Sequence, residues 1–126
     1  MKGEKSMAKI LIVDDESGIR QVLNKFFKIK GLQTLEAENG EQALQIASSG
    51  DCSVALLDMG MPGMDGLVLL EKLLKINPRL TVMLMSGRND DEKIKKALEL
   101  GAAGFIMKPF DFSELESTVI SKLKNE

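Results

Sequence analysis

The residues of this chain that could do chemistry fall at four places: Asp14-Asp15-Glu16, Asp58, Ser86 and Lys108. The 126 residues include no histidine and a single cysteine, Cys52. That excludes a Ser-His-Asp triad, a Cys-His pair, a His-ligated zinc site, an internal disulfide and a Cys-cluster metal site. Carboxylates, lysine, hydroxyls and backbone remain. Clustered carboxylates repel one another, and at least one has its pKa raised unless a cation relieves the charge. Oxygen-only ligands favour a hard divalent ion. That means Mg²⁺, or another such as Mn²⁺, keeping some of its waters and sharing a phosphate. A carboxylate is also a nucleophile that can take up a phosphoryl group as an aspartyl-phosphate, and the metal then neutralises the transferring oxygens. Lys108 offers a point charge for one phosphoryl oxygen and Ser86 a hydrogen bond for another.

Such a set works only if the fold brings it together. Four short apolar runs stand out, Ala8–Val13, Val54–Leu57, Leu80–Met85 and Phe105–Met107, with a weaker one at Leu32–Glu36. The strongest are continuous rather than alternating, as in parallel strands covered on both faces. Helical patterns lie between them. Ile19, Val22, Leu23, Phe26 and Phe27 make one stripe, and Gly31 is placed to cap its end. Asn39 with Gln42, and Asp111 with Glu114, have the spacing of capping boxes. Gly66–Ile76 puts Leu67, Leu70 and Leu74 on one side, and a further helix carries Ile94, Ala97 and Leu98 up to Gly101. The order is βαβαβαβαβα. Right-handed crossovers make it a three-layer α/β sandwich, expected over residues 8–124 behind a loose tail at 1–7. Ligands of an open parallel sheet bind beyond the carboxyl ends of its strands. Asp14-Asp15-Glu16, Asp58, Ser86 and Lys108 each follow or close a strand at that end.

Other classes are disfavoured. The 17 Lys and Arg against 19 Asp and Glu, with no basic run, leave no nucleic-acid footprint. The longest apolar run is four residues, far short of the roughly 20 that span a bilayer, and no signal-peptide core opens the chain. The expected location is the cytoplasm. Taken singly, each feature has a plainer account. The acidic triplet suits a helix dipole, the Gly/Pro/Met stretch 59–66 a turn, Phe105 a core and the eight methionines gap-filling. Independent solvated residues need not all collect at one sheet edge, however.

In this arrangement the chain resembles the receiver domain of two-component response regulators. The resemblance rests on Ile10–Val13 followed by Asp14-Asp15, and on Leu57-Asp58-x-x-Met61-Pro62-x-Met64-Asp65-Gly66. Ser86 closing the fourth strand, and Gly101-Ala102 through Lys108-Pro109-Phe110, complete it. It implies a flavodoxin-like (βα)5 fold with sheet order 2-1-3-4-5. It implies Asp58 as phospho-acceptor, and Mg²⁺ held by Asp15 directly, by Asp14 through water or a hydrogen bond, by Asp58 and by the Gly60 carbonyl. Lys108 would contact the phosphoryl group, Ser86 and Phe105 would form the switch pair, and Lys108-Pro109 would be cis. The donor would be a phosphohistidine on a sensor histidine kinase or histidine phosphotransfer protein, docked on Gly18, Ile19, Pro109 and Phe110. The downstream effector is left unnamed. The unphosphorylated chain is expected to be a monomer that binds no nucleic acid or membrane and catalyses only its own phosphorylation and dephosphorylation. Two positions depart from common variants: Gly60 has no side chain two residues beyond the acceptor, and Ser86 replaces a frequent threonine. An aspartate-nucleophile phosphatase is the nearest enzyme rival, but it wants its nucleophile after the first strand and extra chain for a cap. A nucleotide or flavin site would need an anion-friendly first loop.

Overall fold

The computed structural model describes residues 9–50, 52–87 and 91–124. The tail expected at 1–7, and the domain's first residue at 8, lie outside them. Five parallel strands, β1 (Lys9–Val13), β2 (Gln33–Ala37), β3 (Val54–Asp58), β4 (Thr81–Ser86) and β5 (Gly104–Met107), form one sheet of order β2-β1-β3-β4-β5. The helices are α1 (Ser17–Ile29), α2 (Gly40–Ser48), α3 (Gly66–Ile76) and α4 (Asp91–Leu100). The last, α5, runs through Phe112–Leu115, a π-type turn at Glu116–Ile120, and Ser121–Lys124.

Strand side chains alternate between the two faces, and each face meets its own helices. Leu11, Val13, Ala55, Leu57, Val82 and Leu84 are buried with α2, α3 and Ala97 of α4. Ile10, Ile12, Val54, Leu56, Met83 and Met85 are buried under Leu23, Phe26 and Phe27 of α1 and Leu115, Val119 and Ile120 of α5. That double coverage explains why the central strands are apolar without alternation.

The register sets the level of the functional edge. Val13 pairs with Leu57, Asp58 with Met85, and Ser86 with Met107. Asp14, one residue past Val13, therefore stands beside Asp58, and Lys108 stands one residue past the partner of Ser86. Backbone bonds carry the ladder beyond the strands: Asp14 N–H donates to Ala37 O at 3.1 Å, Met59 N–H to Met85 O at 2.9 Å, and Lys108 N–H to Ser86 O at 2.7 Å.

The structure adjusts several expectations. β2 starts at Gln33 because Leu32 is spent on the end of α1. Its N–H donates to Phe27 O and that of Gly31 to Lys28 O, with Gly31 at φ +83°, a Schellman ending. Val22 and Leu98 were expected on core faces, yet they are 48 % and 41 % exposed. A helix stripe spans a wider arc than one sheet face can cover, so its flank stays in solvent. For the same reason α3 buries Leu69, Leu70 and Leu73, while Leu67 and Leu74 are only partly covered. At α2, Asn39 accepts from Gln42 N–H as expected, but the Gln42 side chain reaches back to Glu38 N–H rather than to Asn39. The Asp111–Glu114 capping box is complete.

Candidate functional site

Asp58 ends β3, 7 % exposed, with its carboxylate at the sheet edge. Its Oδ1 accepts from Gly60 N–H at 3.0 Å, a bond made within the turn that follows the strand. Its Oδ2 lies 3.5 Å from Lys108 Nζ. Asp14 is fully buried; Oδ1 accepts from Glu16 N–H at 2.9 Å and Oδ2 from Lys108 Nζ at 2.9 Å. Lys108 is therefore shared between two carboxylates and sits closer to Asp14.

Oxygens of Asp14, Asp15 and Asp58 lie within 4.8 Å of one another. Asp14 and Asp58 are buried, and Asp15 is exposed, which leaves water a way in. The donor set is oxygen alone and carries three formal negative charges against one ammonium, which fits a hard divalent cation. Burial pushes the Asp58 carboxyl above its ordinary value. The Asp14 charge adds to this, while the Gly60 amide and Lys108 offset only part. For Lys108, burial alone would lower the ammonium. The hydrogen bond to Asp14 and the charges of Asp58, Asp14 and Glu16 outweigh that and hold it above its usual value.

Ser86 closes β4, fully buried, and its Oγ has no hydrogen-bond partner. A buried hydroxyl without a partner is costly, and it supplies a donor for an oxygen-rich group. Phe105 stands on β5 with its ring outward, 44 % exposed. Lys108-Pro109 is cis, as expected. Beside Lys108 opens an apolar groove of about 540 Å³, lined by Gly18, Ile19, Val22, Lys108, Pro109 and Phe110. Gly18, Ile19, Pro109 and Phe110 are thus brought together between the start of α1 and the loop after β5. Ile19 and Phe110 also lean on the core beneath.

The response regulator receiver domain family matches residues 10–120. The chain belongs to that family. It is 42 % identical to the sporulation initiation phosphotransferase F of Bacillus subtilis over 88 % of this chain and 90 % of that protein. It is 38 % identical to the regulatory protein AtoC of Escherichia coli over 88 % of this chain but 24 % of that one, so it spans about a quarter of that relative's length. Among solved structures, a CheY-like receiver domain protein of Methanospirillum hungatei superposes with a TM-score of 0.90 at 29 % identity, covering 95 % of this chain and 96 % of that one. The fold is therefore the receiver fold, and the sheet order 2-1-3-4-5 read from the sequence is the one observed.

Two features of this receiver domain were not legible in the pattern of residues. One is the resting pairing of Lys108 with Asp14, across 94 positions of sequence. The other is Arg20, which heads α1 beside the expected docking residues. Its side chain is 15 % exposed and turned away from the groove, onto Asp14 O and Glu36. The available signal was its place, since a cation in a helix's first turn opposes the dipole.

Proposed function

We propose that this receiver domain is a phospho-accepting signalling switch whose acceptor is Asp58, acting as a single unit over residues 8–124. The observation that carries the reading is the pairing of a buried, poorly neutralised Asp58 carboxylate with Lys108 Nζ at 3.5 Å, next to the unpartnered Ser86 hydroxyl. An Asp58 oxygen attacks the phosphorus of a phosphohistidine. A P–O bond forms, the P–N bond breaks, and its electron pair leaves with the imidazole, which takes a proton. Asp14, Asp15, Asp58 and the Gly60 carbonyl would hold Mg²⁺, or Mn²⁺ in its place. When bound, the ion neutralises charge on the phosphoryl oxygens.

Residues of the chain itself do the rest. Gly60 N–H orients the Asp58 carboxylate. Lys108 turns from Asp14 toward the phosphoryl group, a charge-assisted contact stronger than a neutral hydrogen bond. Ser86 donates to a second phosphoryl oxygen, and Phe105 turns inward from its exposed position. The changed face lies on α4, β5 and α5, where a downstream effector reads it. The donor is a sensor histidine kinase or a histidine phosphotransfer protein, seated on Gly18, Ile19, Pro109 and Phe110. The name of the Bacillus subtilis relative, a phosphotransferase, agrees with a place in a chain of phosphoryl transfers. The only reaction catalysed is the domain's own phosphorylation and dephosphorylation. Among the described residues no helix is long and apolar enough to cross a membrane, which accords with work in the cytoplasm.

Incubation with a small phosphodonor and Mg²⁺ tests the reading. One phosphoryl group is gained, peptide mapping places it on Asp58, and excess chelator prevents it. Labelling that survives in Asp58→Ala or in chelator contradicts the assignment.

A further inference from the structure

The backbone of Asp14 is held on both sides, at its N–H by strand β2 and at its carbonyl by Arg20 of α1, which is itself tied to β2. Its N–H donates to Ala37 O at 3.1 Å. Its carbonyl, the one that joins it to Asp15, accepts from Arg20 Nη1 at 2.7 Å. Arg20 is fixed in turn, because its Nε donates to Glu36 Oε1 at 3.1 Å. The other Glu36 oxygen accepts from Asn24 Nδ2 at 3.1 Å, and Asn24 Oδ1 accepts from Thr34 Oγ1. Thr34 and Glu36 both lie on β2, across β1 from Asp58. The helix dipole works against a cation at this place in α1, yet the side chain is largely buried and satisfied on both sides.

We infer that Arg20 is a positioning residue of the acidic pocket. By holding the Asp14–Asp15 peptide against β2 through Glu36, it sets the geometry in which the two carboxylates receive a divalent cation. The inference rests on the reading of that pocket as a Mg²⁺ site. Two roles for Arg20 predict opposite signs. As a bare positive charge it repels the ion, and removing it tightens binding. As a clamp it organises the ligands, and removing it loosens binding. Groups that support metal ligands from behind change affinity by roughly 10–100-fold when lost.

The test is calorimetric titration of the unphosphorylated chain with MgCl2, with hydrogen exchange of the Glu16 amide, which bonds Asp14 Oδ1, followed in parallel. Arg20→Ala is expected to weaken Mg²⁺ binding by about tenfold and to speed that exchange. Its phosphorylation by a small donor should need more Mg²⁺ but reach the wild-type maximum rate. Arg20→Lys keeps the charge but lacks the planar fork that serves the carbonyl and Glu36 together, so it too is expected to bind Mg²⁺ more weakly. Affinity equal to or tighter than wild type in Arg20→Ala overturns the inference. If that variant fails to fold, unchanged affinity in Arg20→Lys does so. Wild-type protein that takes up no Mg²⁺ overturns the reading of the pocket itself, a failure visible without any variant.

Discussion

Asp58 combines burial, a nearby like charge in Asp14, and one shared ammonium. A carboxyl whose folded pKa lies above its unfolded value binds its proton more tightly when folded. It therefore favours folding below the unfolded value, and that contribution is lost as pH rises through the folded value. Above the folded value the ionised Asp58 works against the fold. Asp58→Asn removes the charge and is expected to raise Tm by a few degrees at neutral pH, the advantage shrinking as pH falls into the carboxylate range. Adding Mg²⁺ narrows the gap as well, since an ion at ten times its Kd adds about 1.4 kcal/mol to the wild type alone. Thermal melts across pH, with and without Mg²⁺, check this; an Asp58→Asn protein less stable at neutral pH contradicts it. Asp14, Asp15, Asp58, Ser86 and Lys108 were legible because residue type and place after a strand are local properties of the sequence. Which oxygen Lys108 bonds at rest is decided by distances of a few tenths of an ångström, and no spacing encodes those.

The elements were legible to within a residue or two where period and capping agree. α3 falls at Gly66–Ile76 as its pattern says. β2 was displaced because the Schellman ending of α1 claims Leu32. The π-type turn in α5 had no forewarning in Glu116–Ile120. Nearby, Ser117 Oγ donates to Glu114 O and Ser121 Oγ to Ser117 O, a back-bonding that bends helices. Val22 shows how an apolar stripe divides between core and surface, since it lines the groove at Lys108 instead of the interior. Ile19 stands at the boundary, half-buried on the core and open to the groove. Ile19→Ala is expected to slow phosphoryl transfer from the cognate phosphohistidine donor by about tenfold, since truncating an interface anchor costs roughly 1–2 kcal/mol or more. Phosphorylation by a small donor and Tm should change little. A stability loss of ~2 kcal/mol or more, as for a buried isoleucine, with transfer per folded molecule unchanged, assigns the residue to the core instead.

Across the molecule, one sheet edge gathers the candidate site and β5 exposes the face that would report it. Phe105 and Met107 stand out from that strand. Ala102-Ala103-Gly104 precedes Phe105 with no acidic residue, so Lys93, Lys95 and Lys96 of α4 have no carboxylate there to pair with across a two-fold axis. Phosphorylation is therefore expected to leave the domain monomeric through this face, with one sedimentation coefficient before and after treatment. A tight dimer on activation reverses that expectation. In the proposed switch, a phosphoryl group on Asp58 is read through Lys108 and Ser86 as a movement at Phe105. A bound group shifts such an equilibrium only by its differential contacts with the two states. The most direct measurement is the amide NMR spectrum of the domain, recorded with Mg²⁺ before and after a small phosphodonor is added, for wild type and Lys108→Ala. Wild type is expected to show shifts at Asp58–Gly60, at Ser86 and around Phe105. Lys108→Ala, which still takes up the phosphoryl group, is expected to show the loop shifts with the Phe105 response much reduced. Shifts confined to the Asp58 loop of phosphorylated wild type, with none around Phe105, would contradict it.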